Sequence, residues 1–331
     1  MKTVPGLVDL QVNGFVGVDF SDPTLTYADA VRAADALLDR GTTAFLATMI
    51  TSRLETYRRN IPLLVKLMRS DAFAGRILGL HLEGPFISAS PGAVGAHDPA
   101  YVQPPDLDTL DELIRLGQGH VRLLTVAAEV PNVDKVIRFA RSRGIAVSIG
   151  HSLFTAEDLG RVNAAGATVL THLGNGLPNS LPRHPNPIWS GLADDRFTAM
   201  IIADGHHLPD AVLKVMTRAK GAERLIVVSD AAPIAGLPPG DYDVLGNRAV
   251  LEPTGRLHNP EKQCLVGSSA TMVVCMNRLA SLGILGIDEL ITVGFHNPLR
   301  LIGVSPADVR TSVGRALAYR EGRFHVLQEP T

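Results

Sequence analysis

Continuous apolar runs alternate with stretches of helical spacing along this chain. Strands are predicted at Leu7–Asn13, Thr43–Met49, Ile77–Glu83, Val121–Glu129, Ala146–His151, Thr168–Leu173, Thr198–Asp204 and Leu225–Asp230. Most of these runs are apolar throughout rather than at every second position. That is the pattern of strands buried on both faces of a parallel sheet. Between them, apolar or small residues recur at helical spacing over Tyr27–Arg40, Leu54–Arg69, Leu107–Leu116, Val133–Arg143, Ala156–Ala165 and Pro209–Ala219. Gly41 ends the first of these helices, and Ser52 stands where an N-cap of the second belongs.

Eight strand–helix alternations predict an α/β fold, a (β/α)8 TIM-like barrel, with an open doubly wound sheet as the rival. No GxGxxG follows the first strand. Polar residues stand at the ends of six separate strands: Asn13, Glu83, His151, His172, Asp204 with His207, and Asp230. A barrel gathers such ends on one face. The barrel is expected over 1–310, with a β-hairpin insertion near 240–267. Helices resume at Ala270–Leu282 and Ile287–Phe295, and Asn297-Pro298 opens a short one ending near Gly303. Residues 311–331 read as a short terminal hairpin, Ala316–Tyr319 with Arg323–Leu327.

Composition narrows the function classes. The net charge of −2 offers no electrostatic case for nucleic acid or an acidic membrane. No run reaches the length of a membrane span, and the N-terminus lacks a signal-peptide core. The two cysteines, Cys264 and Cys275, form no CxxC pair and read as reduced thiols. A cytoplasmic protein is the expectation.

His151 and His172, each structural if taken alone, come from consecutive strands in a barrel and can converge. Glu83 ends an apolar strand, where a lone buried charge is costly. It is either a metal ligand or half of an internal salt bridge. Two imidazoles, a carboxylate and an open fourth position make a catalytic zinc-type site. Asp230 is a candidate proton shuttle, with metal ligation or turn capping as alternatives.

These motifs run in a family's order. The chain resembles N-acetylglucosamine-6-phosphate deacetylases of the amidohydrolase superfamily. The matching segments are Pro5-Gly6-Leu7-Val8-Asp9 with Asn13-Gly14, His81-Leu82-Glu83-Gly84-Pro85-Phe86, Gly95-Ala96-His97, Gly150-His151-Ser152, Thr171-His172-Leu173 with Asn175, Ile202-Ala203-Asp204-Gly205 with His207, Ser229-Asp230-Ala231, Gly267-Ser268-Ser269 and Asn297-Pro298. The resemblance implies a barrel of the metal-dependent hydrolase type, with one divalent metal per subunit on Glu83, His151 and His172. Zinc is expected, with iron, cobalt and manganese as alternatives. Asp230 is then general base and general acid, and His97 hydrogen-bonds the acetyl carbonyl. His97, Asn175, Gly176, Arg183, His207, Ser268 and Met272 become substrate contacts. Arg183 and His207 reach the neighbouring site of a homodimer. Gln11-Val12-Asn13 replaces the His-x-His that binds a second metal in many amidohydrolases, so one metal is expected.

The chain also departs from the family pattern. Four residues precede Pro5, so the usual small β-sandwich is expected to be reduced or nearly absent. Pro91-Gly92-Ala93-Val94-Gly95-Ala96 lacks the lysine common before the histidine. Gly174 and Gly176 flank Asn175 where bulkier residues are usual, and Ala232-Pro233-Ile234-Ala235 varies the following loop. The expected reaction is loss of acetate from N-acetyl-D-glucosamine 6-phosphate. The alternatives are another N-acetylated amino sugar or N-acyl substrate, or a non-catalytic sugar-phosphate binder.

Overall fold

The computed structural model describes residues 2–311 and 315–327. The chain enters through β1 (Lys2–Val4) and the first barrel strand, β2 (Val8–Val12). A small hairpin follows, β3 (Gly14–Phe15) and β4 (Val18–Asp19). The remaining barrel strands are β5 (Ala44–Ile50), β6 (Ile77–Glu83), β7 (Val121–Val126), β8 (Ala146–Ile149), β9 (Val169–Leu170), β10 (Thr198–Ile202) and β11 (Leu225–Val228). Each pairs in parallel with the next, from β2 round to β11. A bridge between Val12 and Ala231 brings the two ends of the sheet together. The (β/α)8 barrel predicted from the apolar runs is therefore the observed fold.

Helices cover the barrel: α1 (Tyr27–Leu38), α2 (Leu54–Met68), α3 (Leu107–Leu116), α4 (Val133–Ser142), α5 (Ala156–Ala165), α6 (Pro187–Ala193), α7 (Asp210–Lys220) and α8 (Met272–Ser281). Local chemistry sets several ends. Thr26 caps α1 through the amide of Asp29, and Thr155 forms a reciprocal capping box with Asp158 on α5. Ser52 does not cap α2. Arg53 occupies the cap position, while the Ser52 hydroxyl donates to the Ile50 carbonyl at 2.9 Å. α6 escaped the periodicity because it spans only seven residues, although Asn186 before Pro187 is a readable start signal. The stretch predicted as one helix to Phe295 is α9 (Ile287–Ile291) followed by a π-helical turn, and α10 (Asn297–Ile302) then ends at Gly303.

Two regions carry more strands than expected. The insertion is a four-stranded antiparallel sheet of β12 (Gly240–Val244), β13 (Asn247–Leu251), β14 (Leu257–Asn259) and β15 (Cys264–Leu265). It has its own small apolar core, including Ile234, Val244, Leu251 and Val266. Near the C-terminus β16 (Leu317–Arg320) and β17 (Arg323–Val326) form the expected hairpin, and β1 adds to it as a third strand. Residues 312–314 and 328–331 of the predicted terminal segment lie outside the described residues.

Candidate active site

Four chemically important side chains stand at or just beyond the C-terminal ends of barrel strands. Glu83 is the last residue of β6. His151, His172 and Asp230 each lie two residues past β8, β9 and β11. All three have positive φ, at 49°, 29° and 52°. Left-handed backbone is unfavourable for such residues and is typical of sites where geometry serves function. All three side chains line one cavity with Glu83.

The result is a tight buried cluster. His172 Nε2 lies 3.1 Å from Glu83 Oε1 and 3.1 Å from His151 Nε2. His151 Nε2 is 3.3 Å from the same carboxylate oxygen. His97, delivered by the loop after β6, brings its Nε2 within 3.2 Å of His151 Nε2 and 4.0 Å of Glu83 Oε2. The carbonyl of Ala93 can only accept, so His151 donates to it from Nδ1 at 2.8 Å. That fixes the tautomer and leaves the Nε2 lone pair aimed into the cluster. Glu83, His97 and His151 offer ligand atoms that all lie within 4.8 Å of one another, and His172 Nε2 adjoins the same Glu83 oxygen, so this Glu/His cluster is able to hold a divalent transition metal.

The first strand supplies orientation. The Gln11 amide donates to Glu83 Oε1 at 2.8 Å, and the Asn13 amide donates to Asp230 Oδ1 at 2.7 Å. Each carboxylate is thus held from behind by a neutral partner. Burial pushes Glu83 up, but hydrogen bonds and charge from His151 and His172 outweigh it and hold the acid well below its usual range. Asp230 goes the other way. Burial, then the nearby Glu83 charge, raise it to about 6 against the opposing pull of His172, His207 and Asn13. Burial, with the charge of His151, lowers His97 to about 3 and keeps it neutral.

The cluster lines a cavity of about 490 Å³, within the range of small-molecule sites. Asn175, Gly176, His207 and Asp230 line it as well. At Gly176, with φ +61°, a Cβ would fall 2.9 Å from His151 Nδ1, so glycine there lets the loop approach the imidazoles. His207 lines the cavity of its own chain. Asp204 holds it, accepting from Nδ1 at 2.8 Å and from the backbone amides of His206 and His207. Three nominated contacts are absent from the lining. Arg183 lies on an exposed loop. Met272 is fully buried in the main core. Ser268 is buried, donating its amide to the Asp230 carbonyl at 2.8 Å while its hydroxyl accepts from Ala270. Sequence reading missed His206, Arg256 and Gln263, all in the lining. His206 adjoins a nominated residue, whereas the other two belong to the insertion and carry no motif.

No family model matches the chain. Curated relatives do. Human N-acetylglucosamine-6-phosphate deacetylase is 34% identical over 311 residues, covering 91% of this chain and 74% of its own length. N-acetylgalactosamine-6-phosphate deacetylase of Escherichia coli O157:H7 is 28% identical over 300 residues, covering 91% and 78%. Among solved structures, a mutant Mycobacterium smegmatis N-acetyl-D-glucosamine-6-phosphate deacetylase in complex with N-acetyl-D-glucosamine-6-phosphate superposes with a TM-score of 0.84 at 27% identity, covering 97% of this chain and 86% of that one.

Proposed function

The chain belongs to the N-acetylglucosamine-6-phosphate deacetylase family, and from that premise we propose how its residues divide the work. The reaction is hydrolysis of a linear amide bond, releasing acetate from N-acetyl-D-glucosamine 6-phosphate and leaving glucosamine 6-phosphate. Glu83, His151 and His172 hold one divalent metal, for which zinc best suits the mixed nitrogen and oxygen donors. When bound, such a metal lowers the pKa of a water molecule and polarises the acyl oxygen. Asp230 takes the proton from the attacking water and returns it to the leaving amine. A carboxyl raised to about 6 serves both steps near neutral pH. Neutral His97 donates a hydrogen bond to the acyl oxygen as negative charge develops there. Gln11 and Asn13, both engaged as donors to carboxylates, support a single-metal site.

The convergence of Glu83, His151, His172 and Asp230 on one cavity carries this reading. Its test is acetate release from N-acetylated sugars, with and without phosphate, after each metal is added back. Asp230→Asn is expected to lose about 10²- to 10⁴-fold in kcat while keeping its metal. An Asp230→Asn enzyme of undiminished kcat overturns the proton-transfer role.

A second substrate has a specific observation in its favour. One relative acts on N-acetylgalactosamine 6-phosphate, and small Gly174 and Gly176 flank Asn175 in this cavity. The same sugar panel separates the two epimers. A homodimer in which Arg183 is offered to the neighbouring cavity suits the exposed loop position of Arg183. Exposed Trp189, Val215 and Val274 on α6, α7 and α8 supply apolar surface for such an association. In the described residues no helix is long and apolar enough to cross a membrane. A reducing cytoplasmic setting fits the two free thiols, Cys264 and Cys275. The barrel over 1–310 with the insertion near 240–267, and the small terminal sheet, form the working domain division.

A further inference from the structure

The active-site cavity has a neighbour. A second cavity, of about 600 Å³, is lined by the β3–β4 hairpin, the end of β5 and the tip of the insertion. Four aspartates, Asp19, Asp22, Asp98 and Asp243, stand in its lining. Two residues line both cavities, and both are apolar: Ile50 and Leu245. They form the partition between the catalytic space and the aspartate-lined one.

The partition stands beside the groups that handle an acyl carbon and its oxygen. Ile50 ends β5 and is paired in register with Glu83. Leu245 is coupled to the loop that carries His97. The Asn247 amide donates to the Leu245 carbonyl and to the Ala96 carbonyl, each at 2.8 Å. Ala96 and Leu245 also pack against the same small apolar core of the insertion. Other apolar lining residues, Leu177, Pro178 and Leu181, belong instead to the loop beyond Asn175.

Leucine is an unfavourable choice for the backbone at 245. Leu245 and Gly246 make the two-residue turn between β12 and β13, closed by the pairing of Val244 with Asn247. Both have positive φ, 51° and 68°. Turns of this kind favour asparagine, aspartate or glycine at the first position, and a bulky side chain there is strained. A residue kept against its backbone preference points to work done by its side chain.

We propose that Leu245, with Ile50, forms the end wall of the acyl subsite and restricts the enzyme to short acyl groups. With the acyl oxygen at His97 and the acyl carbon over the Glu83 cluster, the methyl of an acetyl group fits against this wall. A longer chain collides with it. The assignment rests on the amide-hydrolase reading above, and the experiment separates the two.

The metal-loaded full-length enzyme and its Leu245→Ala and Leu245→Met variants are assayed on glucosamine 6-phosphate carrying N-acetyl, N-propionyl and N-butyryl groups. Wild type is expected to prefer acetyl over butyryl by roughly tenfold or more in kcat/KM. Leu245→Ala vacates room for the two added methylenes and is expected to lower that ratio about tenfold. Leu245→Met, close in volume, keeps the wild-type ratio. Leu245→Gly suits the left-handed turn and makes the same prediction as Leu245→Ala without straining the fold. A ratio unchanged in both small variants, or a wild type that takes butyryl as readily as acetyl, overturns the assignment. If the unmodified enzyme releases no acyl group from any of these sugars, the deacetylase reading fails. Calorimetric titration with the same uncleaved sugars then decides Leu245, through the ratio of Kd values for the acetyl and butyryl forms.

Discussion

Asp9 is a carboxylic acid sealed inside the barrel, next to the residues that carry the site. It accepts hydrogen bonds from the Gln11 amide, the Ser229 amide and the Ser229 hydroxyl. Burial nevertheless raises its pKa to about 7 against those bonds. The folded chain therefore holds this proton more tightly than the unfolded chain does. Its contribution to stability is complete below about pH 4 and is lost as pH rises through about 7. His81, lowered by burial to about 4, acts in the opposite sense: its contribution is present above about pH 6.5 and is lost as pH falls toward 4. Urea unfolding from pH 4 to 8 is expected to show wild type losing on the order of 4 kcal/mol relative to Asp9→Asn as pH rises. Parallel profiles would sink the idea. The residues proposed for the site, Glu83, His151, His172 and Asp230, were legible because each is polar at the end of an apolar run. Their partners were not. Gln11 meets Glu83 across 72 positions and Asn13 meets Asp230 across 217, pairings that only closure of the barrel brings about.

The insertion does more than roof the cavity. Asn247, at the start of β13, is buried and hydrogen-bonded on both sides of its amide. Its nitrogen donates to the Ala96 carbonyl at 2.8 Å, and its oxygen accepts from Lys262 Nζ at 2.7 Å. Ala96 precedes His97, and the same loop supplies the Ala93 carbonyl that orients His151. Asn247→Ala frees that loop from the insertion. We expect kcat to fall with KM little changed, alongside a stability loss of about 1–3 kcal/mol from the orphaned buried groups. Steady-state kinetics and thermal unfolding check this; a stability loss with normal kcat would make the contact merely structural. Element by element, the long strands and helices were legible because their periods run over many residues. β14 and β15, with three and two residues, are too short to show a period, so the insertion read as one hairpin.

At the scale of the molecule, the barrel holds several charges and lone pairs against one another at its mouth. A bound metal resolves that crowding and thereby stabilises the folded state. At a hundredfold excess over its Kd such an ion contributes about 2.7 kcal/mol. Chelation is then expected to lower Tm by roughly 5 °C, and metal return to restore it. Scanning fluorimetry would show this, with His172→Ala as the unresponsive control; an indifferent wild-type Tm would argue against metal in the cluster. The barrel itself was legible from eight apolar runs, whereas the reach of Arg183 toward or away from a cavity depended on loop geometry that no periodicity encodes. One local feature has a consequence on this scale. His151, His172 and Asp230 all sit in the left-handed backbone region, which asparagine and glycine adopt most readily. Replacing either histidine by those residues eases the backbone but gives up the metal's contribution, whereas Asp230→Asn eases it while removing only the proton carrier. At Asp230 the exchange for asparagine costs the proton carrier and spares the fold, so the chemistry is detachable at that position and the barrel can outlive it.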